Sequence, residues 1–258
     1  MPPTLSASSL DYAGQSSPGR KRSHNEDAVL CAPALGLWAI ADGMGGHECG
    51  EVASNLALSA LHQAVANGES LESAVQLANQ AVLEASVGED MGTTLVAALF
   101  DGFDFELAWV GDSRAYRVTS HGIEQLSRDH SWVQMMVDAG ELDAADAQAH
   151  AWRNIIMRCL GRDEALDVGV YSGTLRADEL LLLCSDGLTN ELTDAQIHAS
   201  CTFADTLENL VEQLINQANR HGGRDNISCI VVGRTVPPPV VESRRRRLVD
   251  MLLKTLKS

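Results

Sequence analysis

The 258-residue chain is long enough for one large domain or two small ones, and at 45% hydrophobic residues it can bury a substantial core. Aromatic residues are only 4%, so that core is mostly aliphatic, and a net charge of −16 excludes nucleic-acid binding through a broad basic face. No CxxC pair joins the six cysteines, no stretch approaches the ~20 apolar residues of a membrane span, and no signal-peptide pattern opens the chain. The expectation is a soluble, cytoplasmic, monomeric protein with buried, reduced thiols.

Residues 1–9 are rich in Pro and Ser and read as a flexible N-terminus. Ala28–Cys31 and Leu35–Ala41 read as adjacent strands. Helical spacing of Val52, Leu56, Leu61 and Val65 predicts a helix over 51–66, and Leu71, Val75, Ala78 and Val82 predict a second over 71–85. Three strands follow at 93–100, 105–110 and 115–118, with turns at Asp101-Gly102 and His121-Gly122. Residues 131–160 break the strand pattern and read as a helical insertion, a flap. Val168–Tyr171 and Leu180–Cys184 return to strands, 203–218 is amphipathic, and Ile227–Val232 closes a domain spanning 10–235. The order is not strict βαβ alternation, which disfavours a dinucleotide-type parallel sheet. Two antiparallel sheets with helices packed outside fit better.

Residues 236–258 stand apart. Pro237-Pro238-Pro239 is an extended spacer, Arg244–Arg247 are four consecutive arginines, and Leu248, Met251, Leu252 and Leu256 mark one face of a short helix. This basic amphipathic tail suits a membrane surface, an acidic partner, the chain's own acidic body, or plain solvation.

Five acidic positions adjoin strand-like runs and turns: Glu26-Asp27, Asp42, Asp112, Asp186 and Asp225. Each alone is a common turn residue. Together, crowded into one cleft, they repel unless cations neutralise them. Hard oxygen ligands of this kind favour Mg²⁺ or Mn²⁺. Such ions make a nucleophile from water near neutral pH, which points to chemistry on something anionic.

Seven segments stand in the order of a known family: Arg22-Ser-His-Asn-Glu-Asp27, Asp42-Gly-Met-Gly-Gly-His47, Gly92-Thr-Thr94, Gly111-Asp-Ser-Arg114, Asp129-His-Ser131, Ser185-Asp-Gly-Leu188 and Asp225-Asn-Ile-Ser228. Across roughly residues 10–235 the chain resembles the metal-dependent Ser/Thr phosphatases of the protein phosphatase 2C (PPM) family, in their compact bacterial form. The resemblance implies an α+β fold, a central sandwich of two antiparallel sheets flanked by helices (αββα layers), with the flap inserted. It also implies hydrolysis of phosphoserine and phosphothreonine on proteins, in opposition to a bacterial Ser/Thr kinase, by direct attack of a metal-bridging hydroxide.

The resemblance also implies a role for each matching position, as follows. Asp42 is the carboxylate that bridges two ions, and Gly43 offers a carbonyl to one of them. Asp186 and Asp225 bind the other ion. Asp27 and Glu26 hold metal-bound waters, with Asp27 nearer the ions. Asp112 is a ligand of a third, weaker ion shared with Asp186. Arg22 clamps the phosphate, its guanidinium fork matching two phosphate oxygens. The chain departs from many eukaryotic members at Met44, where they carry a histidine assigned as the leaving-group acid. His47, three residues on, is a candidate substitute; a metal-bound water is another. His130 is expected to make a structural hydrogen bond, and Trp132, Met135, Met136 and Val137 to pack the flap or touch substrate. Two other readings remain open on sequence: a catalytically weak phosphoprotein-binding regulator, and a hydrolase of small phosphate esters.

Overall fold

The structure is a computed structural model that describes residues 10–45, 49–86, 90–147 and 150–235. Residues 1–9 and 236–258, together with His47, lie outside the described residues.

Eleven strands and seven helices are seen among the described residues. The first sheet orders its strands β1 (Leu10–Ser17), β11 (Ile227–Arg234), β10 (Leu180–Cys184), β7 (Arg114–Thr119) and β8 (Gly122–Gln125). The second runs β2 (Asp27–Ala32), β3 (Leu37–Gly45), β5 (Leu95–Asp101), β6 (Asp104–Val110) and β9 (Gly169–Thr174), with the short β4 (Met91–Thr93) paired to the end of β3. Every pairing is antiparallel.

The unbroken apolar runs in β3 and β10 follow from burial on both faces. Successive side chains of a strand point to opposite sides. In β3, Trp38 and Ile40 enter the space between the sheets, while Leu37, Ala39 and Ala41 pack beneath α1 (Cys49–Ala66) and α2 (Leu71–Ala85). In β10, Leu181 and Leu183 face the sandwich interior, and Leu182 and Cys184 face α7 (Leu207–His221). Three stacked apolar layers result, giving the αββα architecture expected from the sequence.

The insertion is helical, as expected: α3 (Trp132–Asp138) and α4 (Ala144–Ala147). Its feet are fixed. Ser131 caps α3, accepting from the Gln134 N–H at 3.3 Å, and Leu160 exchanges two backbone hydrogen bonds with Thr93 of β4. Trp132 stacks on His150 and meets Trp152 edge-on, so Trp132 packs the flap rather than a cleft.

The sequence reading differs from the structure at several elements, among them β8, read as a turn only, and the expected strand 93–100, which is divided into β4 and β5. Strand β1 was not anticipated. The amphipathic stretch at 203–218 is not one helix: α6 (Asp194–Phe203) ends where it was expected to begin, and α7 starts afresh at Thr206, whose side chain accepts from the Asn209 N–H. The chain at Asp186 does not leave β10 as a plain turn but enters a single helical turn, α5 (Asp186–Thr189).

Candidate metal centre and active site

The acidic positions converge on one end of the sandwich, and both sheets deliver them. Asp27 and Asp42 stand directly opposite each other in the β2–β3 register. Like charges so placed are destabilising unless something neutralises them. Asp186 follows β10 and Asp225 precedes β11, so these two arrive from the other sheet. Asp112 lies in the link between β6 and β7, where the chain crosses between sheets.

The sheets are tied together here through Asp27. Its Oδ2 accepts from the Ser185 hydroxyl at 2.8 Å and the Ser228 hydroxyl at 2.7 Å. Ser185 in turn accepts from the Ser228 N–H at 3.0 Å. Asn226 acts as a second clasp. Its side-chain oxygen accepts from the Glu26 N–H at 2.8 Å, and its amide nitrogen donates to the carbonyls of Pro18 and His24. Asp42 is held by its backbone: its N–H donates to Thr94 Oγ1, and its carbonyl accepts from the Thr94 N–H and the Thr93 hydroxyl.

Glycine follows Asp42 and Asp186 for a packing reason. A Cβ on Gly43 would sit 2.0 Å from the Gly50 carbonyl oxygen and 2.6 Å from that of Glu26. A Cβ on Gly187 would sit 1.9 Å from the Asn226 carbonyl oxygen. Only glycine lets these backbones approach so closely.

Electrostatics mark the cluster as charge-overloaded. Burial, then the charges of Asp27, Asp186, Asp112 and Asp225, push the Asp42 carboxyl well above the usual carboxylate range. Burial and the neighbouring Asp186 do the same to Asp112. Asp27 rises to about 7, through burial and the charges of Asp186 and Asp225, against the opposing pull of its two serine donors. Asp186 rises to about 6 through burial and Asp225. Burial also raises Glu26.

Two buried carboxylate oxygens, Asp27 Oδ1 and Asp112 Oδ1, have no hydrogen-bond partner among the described residues. Orphaned buried acceptors among mutually repelling carboxylates fit divalent cations better than they fit protons alone. Among the described residues no three His, Cys, Asp or Glu side chains are placed as a group that could hold an ion. Several acids instead hold protein donors: Asp225 pairs with Arg22 at 2.8 Å, and Asp186 accepts from Asn190 at 2.9 Å. Arg22 is thereby placed at the rim of the cluster, with its guanidinium about half exposed.

Beside Asp112 and Asp186 a cleft of about 550 Å³ opens under the flap, walled by Arg153, Asn154, Thr189 and Asn190. The flap is joined to the Asp112 turn by His130, whose N–H donates to the Gly111 carbonyl at 2.8 Å and whose Nδ1 accepts from the Gly111 N–H at 3.2 Å. The ring stacks near Trp109, and burial lowers its pKa. The expected structural hydrogen bond is therefore present. Met44 pairs with Gly92 across β3 and β4.

Sequence reasoning gave no role to Asn226, Ser185, Ser228 or the Arg114–Asp129 pair. Arg114 meets Asp129 through Nε and Nη2 at 2.7–3.1 Å, beside Asp112. The ordered segments containing these residues were visible, but their partners lie far off in sequence.

Comparison with known proteins bears on the fold and the family. The family model "Protein phosphatase 2C" matches residues 15–228. The serine/threonine phosphatase stp of Listeria monocytogenes is 35% identical over 233 residues, covering 84% of this chain and 92% of that one. The crystal structure of the Mycobacterium tuberculosis serine/threonine phosphatase PstP superposes with a TM-score of 0.82 at 35% identity, covering 88% of this chain and 99% of that one. A structure of the PstP catalytic domain in complex with two manganese ions superposes with a TM-score of 0.78 at 34% identity, over 88% of this chain and 99% of that one. The shared sandwich and the match over most of the sequence make this chain a member of the protein phosphatase 2C family.

Proposed function

We propose that this protein is a divalent-cation-dependent protein phosphatase that hydrolyses phosphoserine and phosphothreonine on proteins, opposing a Ser/Thr kinase. The observation that carries the reading is the cluster of five aspartates brought from both sheets to one sandwich end, with two buried oxygens unpartnered and an arginine at the rim.

In this reading Asp42, the Gly43 carbonyl, Asp186 and Asp225 would hold the divalent cations. When bound, Mn²⁺ or Mg²⁺ supplies Lewis acidity and a water-derived nucleophile at neutral pH. Asp27, held by Ser185 and Ser228 through Oδ2, keeps Oδ1 free to orient water, and Glu26 does so from the second rank. The Arg22 guanidinium, now on Asp225, binds two phosphoryl oxygens and stabilises their charge in the transition state. Water attacks phosphorus in line, its oxygen forms the new P–O bond as the P–O bond to the Ser or Thr oxygen breaks on the opposite side, and the proton given up by the attacking water ends on that leaving oxygen. Met44 has no proton to give it.

The substrate segment flanking the phosphoresidue runs in the cleft under the flap. Asp112, whose Oδ1 is buried and has no hydrogen-bond partner among the described residues, would hold a third, weaker cation with Asp186. Phosphate release from a phosphothreonine peptide tests the reading. It should require Mn²⁺, be abolished by EDTA, and fall by about 10²- to 10³-fold in Asp42→Ala and Asp225→Ala, the scale of a lost transition-state electrostatic contact. Folded, Mn²⁺-supplied protein that releases no phosphate from several phosphopeptides would instead favour a phosphoprotein-binding role.

A further inference from the structure

A second concavity, about 700 Å³, lies at the opposite end of the first sheet from the carboxylate cluster. The register shows the separation. Ser17 faces Ile227 beside the active site, whereas Leu10 faces Arg234 seven residue pairs away, about 23 Å along the strands. The floor is apolar, from Leu10, Tyr12, Leu180 and Leu207. The rim is acidic, with Asp11, Asp205 and Glu208 all exposed. These three carboxylates enter none of the ion pairs among the described residues. Phe203, next to the groove-lining Ala204, is 82% exposed, the most exposed of the large hydrophobic residues among those described.

The chain itself supplies a matching segment. Gly233 and Arg234 line the groove, and the described chain ends one residue later at Thr235, directly before residues 236–258 in the sequence. Those residues hold six basic and two acidic side chains, so the net −16 of the chain divides into +4 for this segment and −20 for the rest. Its apolar positions, Leu248, Met251, Leu252 and Leu256, recur at helical spacing after Arg244–Arg247. From Thr235 to Arg244 an extended chain reaches up to about 30 Å, enough to turn back onto the groove.

We propose that residues 244–257 dock in this groove of their own chain, the arginines on Asp11, Asp205 and Glu208 and the leucines over the apolar floor beside Phe203. The docking surface is separate from the phosphatase site and leaves that site open.

Lysine placement makes the test readable. Lys21 is the only lysine outside the segment, which contains Lys254 and Lys257. Carbodiimide coupling of the full chain, run on an equal mixture of unlabelled and ¹⁵N-labelled protein and read by mass spectrometry, should join Lys254 or Lys257 to Asp11, Asp205 or Glu208 within single copies. Replacing Arg244–Arg247 by Ser, or adding 0.5 M NaCl, should lower that yield at least fivefold, while peptide dephosphorylation is unchanged. Products joining labelled to unlabelled chains would overturn the proposal in favour of a second copy. Products spread evenly over carboxylates elsewhere would overturn it outright. Absence of these products together with co-sedimentation on phosphatidylserine vesicles would assign the segment to a lipid surface instead.

Discussion

The aspartates depend on neighbours that sequence inspection leaves unassigned. Asp27 Oδ2 takes two serine hydroxyls, from Ser185 and Ser228, and these leave Oδ1 as the carboxylate's unpartnered oxygen among the described residues. Replacing both serines by alanine should weaken Mn²⁺ binding about 10- to 100-fold, as loss of an orienting partner generally does. A Mn²⁺ titration followed by thermal shift measures it, and unchanged affinity would show that Asp27 needs no such support. Glycine gives a sharper comparison. Gly187→Ala forces a Cβ to 1.9 Å from the Asn226 carbonyl oxygen, so the Asp186 turn must move and phosphate release should collapse. Gly122→Ala meets nothing within 4 Å and should stay within about 0.5 kcal/mol of the parent stability. Equal effects of the two substitutions would refute the close-packing explanation of the Asp-Gly pairs.

Among the elements, the flap and the Asp112 turn are coupled through Arg114, Asp129 and His130. Asp129 accepts from Arg114 and Gln125, and its side chain is 9% exposed. Arg114→Leu would leave that carboxylate without its counter-charge, which for a largely buried pair costs about 3 kcal/mol or more. A denaturant titration should show the loss, and a change below about 1 kcal/mol would mean the pair is solvated. The same scale explains what could be read beforehand. Strands β3 and β10 were legible because both of their faces are buried, which writes an unbroken apolar run ending in Asp-Gly. Strand β1 was not, because Gly14, Gln15, Ser16 and Ser17 carry no alternation and only Ala13 is fully buried; its pairing with β11 makes it a strand. Helix α6 buries just Ile197 and Ser200, so no apolar face announces it. Its capping box, Thr193 with Gln196, was a usable signal. The metal-ligand candidates were legible as a repeated strand-end pattern. Asn226 was not, because its role consists of bonds to residues about 200 positions away.

For the whole molecule, gathering the carboxylates at one end makes stability depend on pH and on cations together. Folded Asp27 and Asp186 titrate near 7 and 6, against about 3.9 for an unfolded aspartate, so the fold holds their protons more tightly. Their contribution to metal-free stability is fully present below about pH 4 and is lost as the pH rises through 6 to 7. The melting temperature of EDTA-treated protein should therefore fall between pH 5 and pH 8. Mn²⁺, binding the folded state, should restore it, with a larger upward shift at pH 8 than at pH 5. A melting temperature that is flat with pH in EDTA would argue against a charge-crowded site.

The most direct test of the account joins cation binding to catalysis in one sample. Free Mn²⁺ would be measured by electron paramagnetic resonance while phosphate release from a phosphothreonine peptide is followed, for the parent chain and for Asp42→Asn. The parent should bind at least two Mn²⁺ and turn over only as they fill, and Asn at position 42 should lose the paired binding and the activity together. Full activity in Asp42→Asn, or turnover by the parent with no Mn²⁺ or Mg²⁺ bound, would contradict the assignment of this carboxylate cluster as the catalytic metal centre.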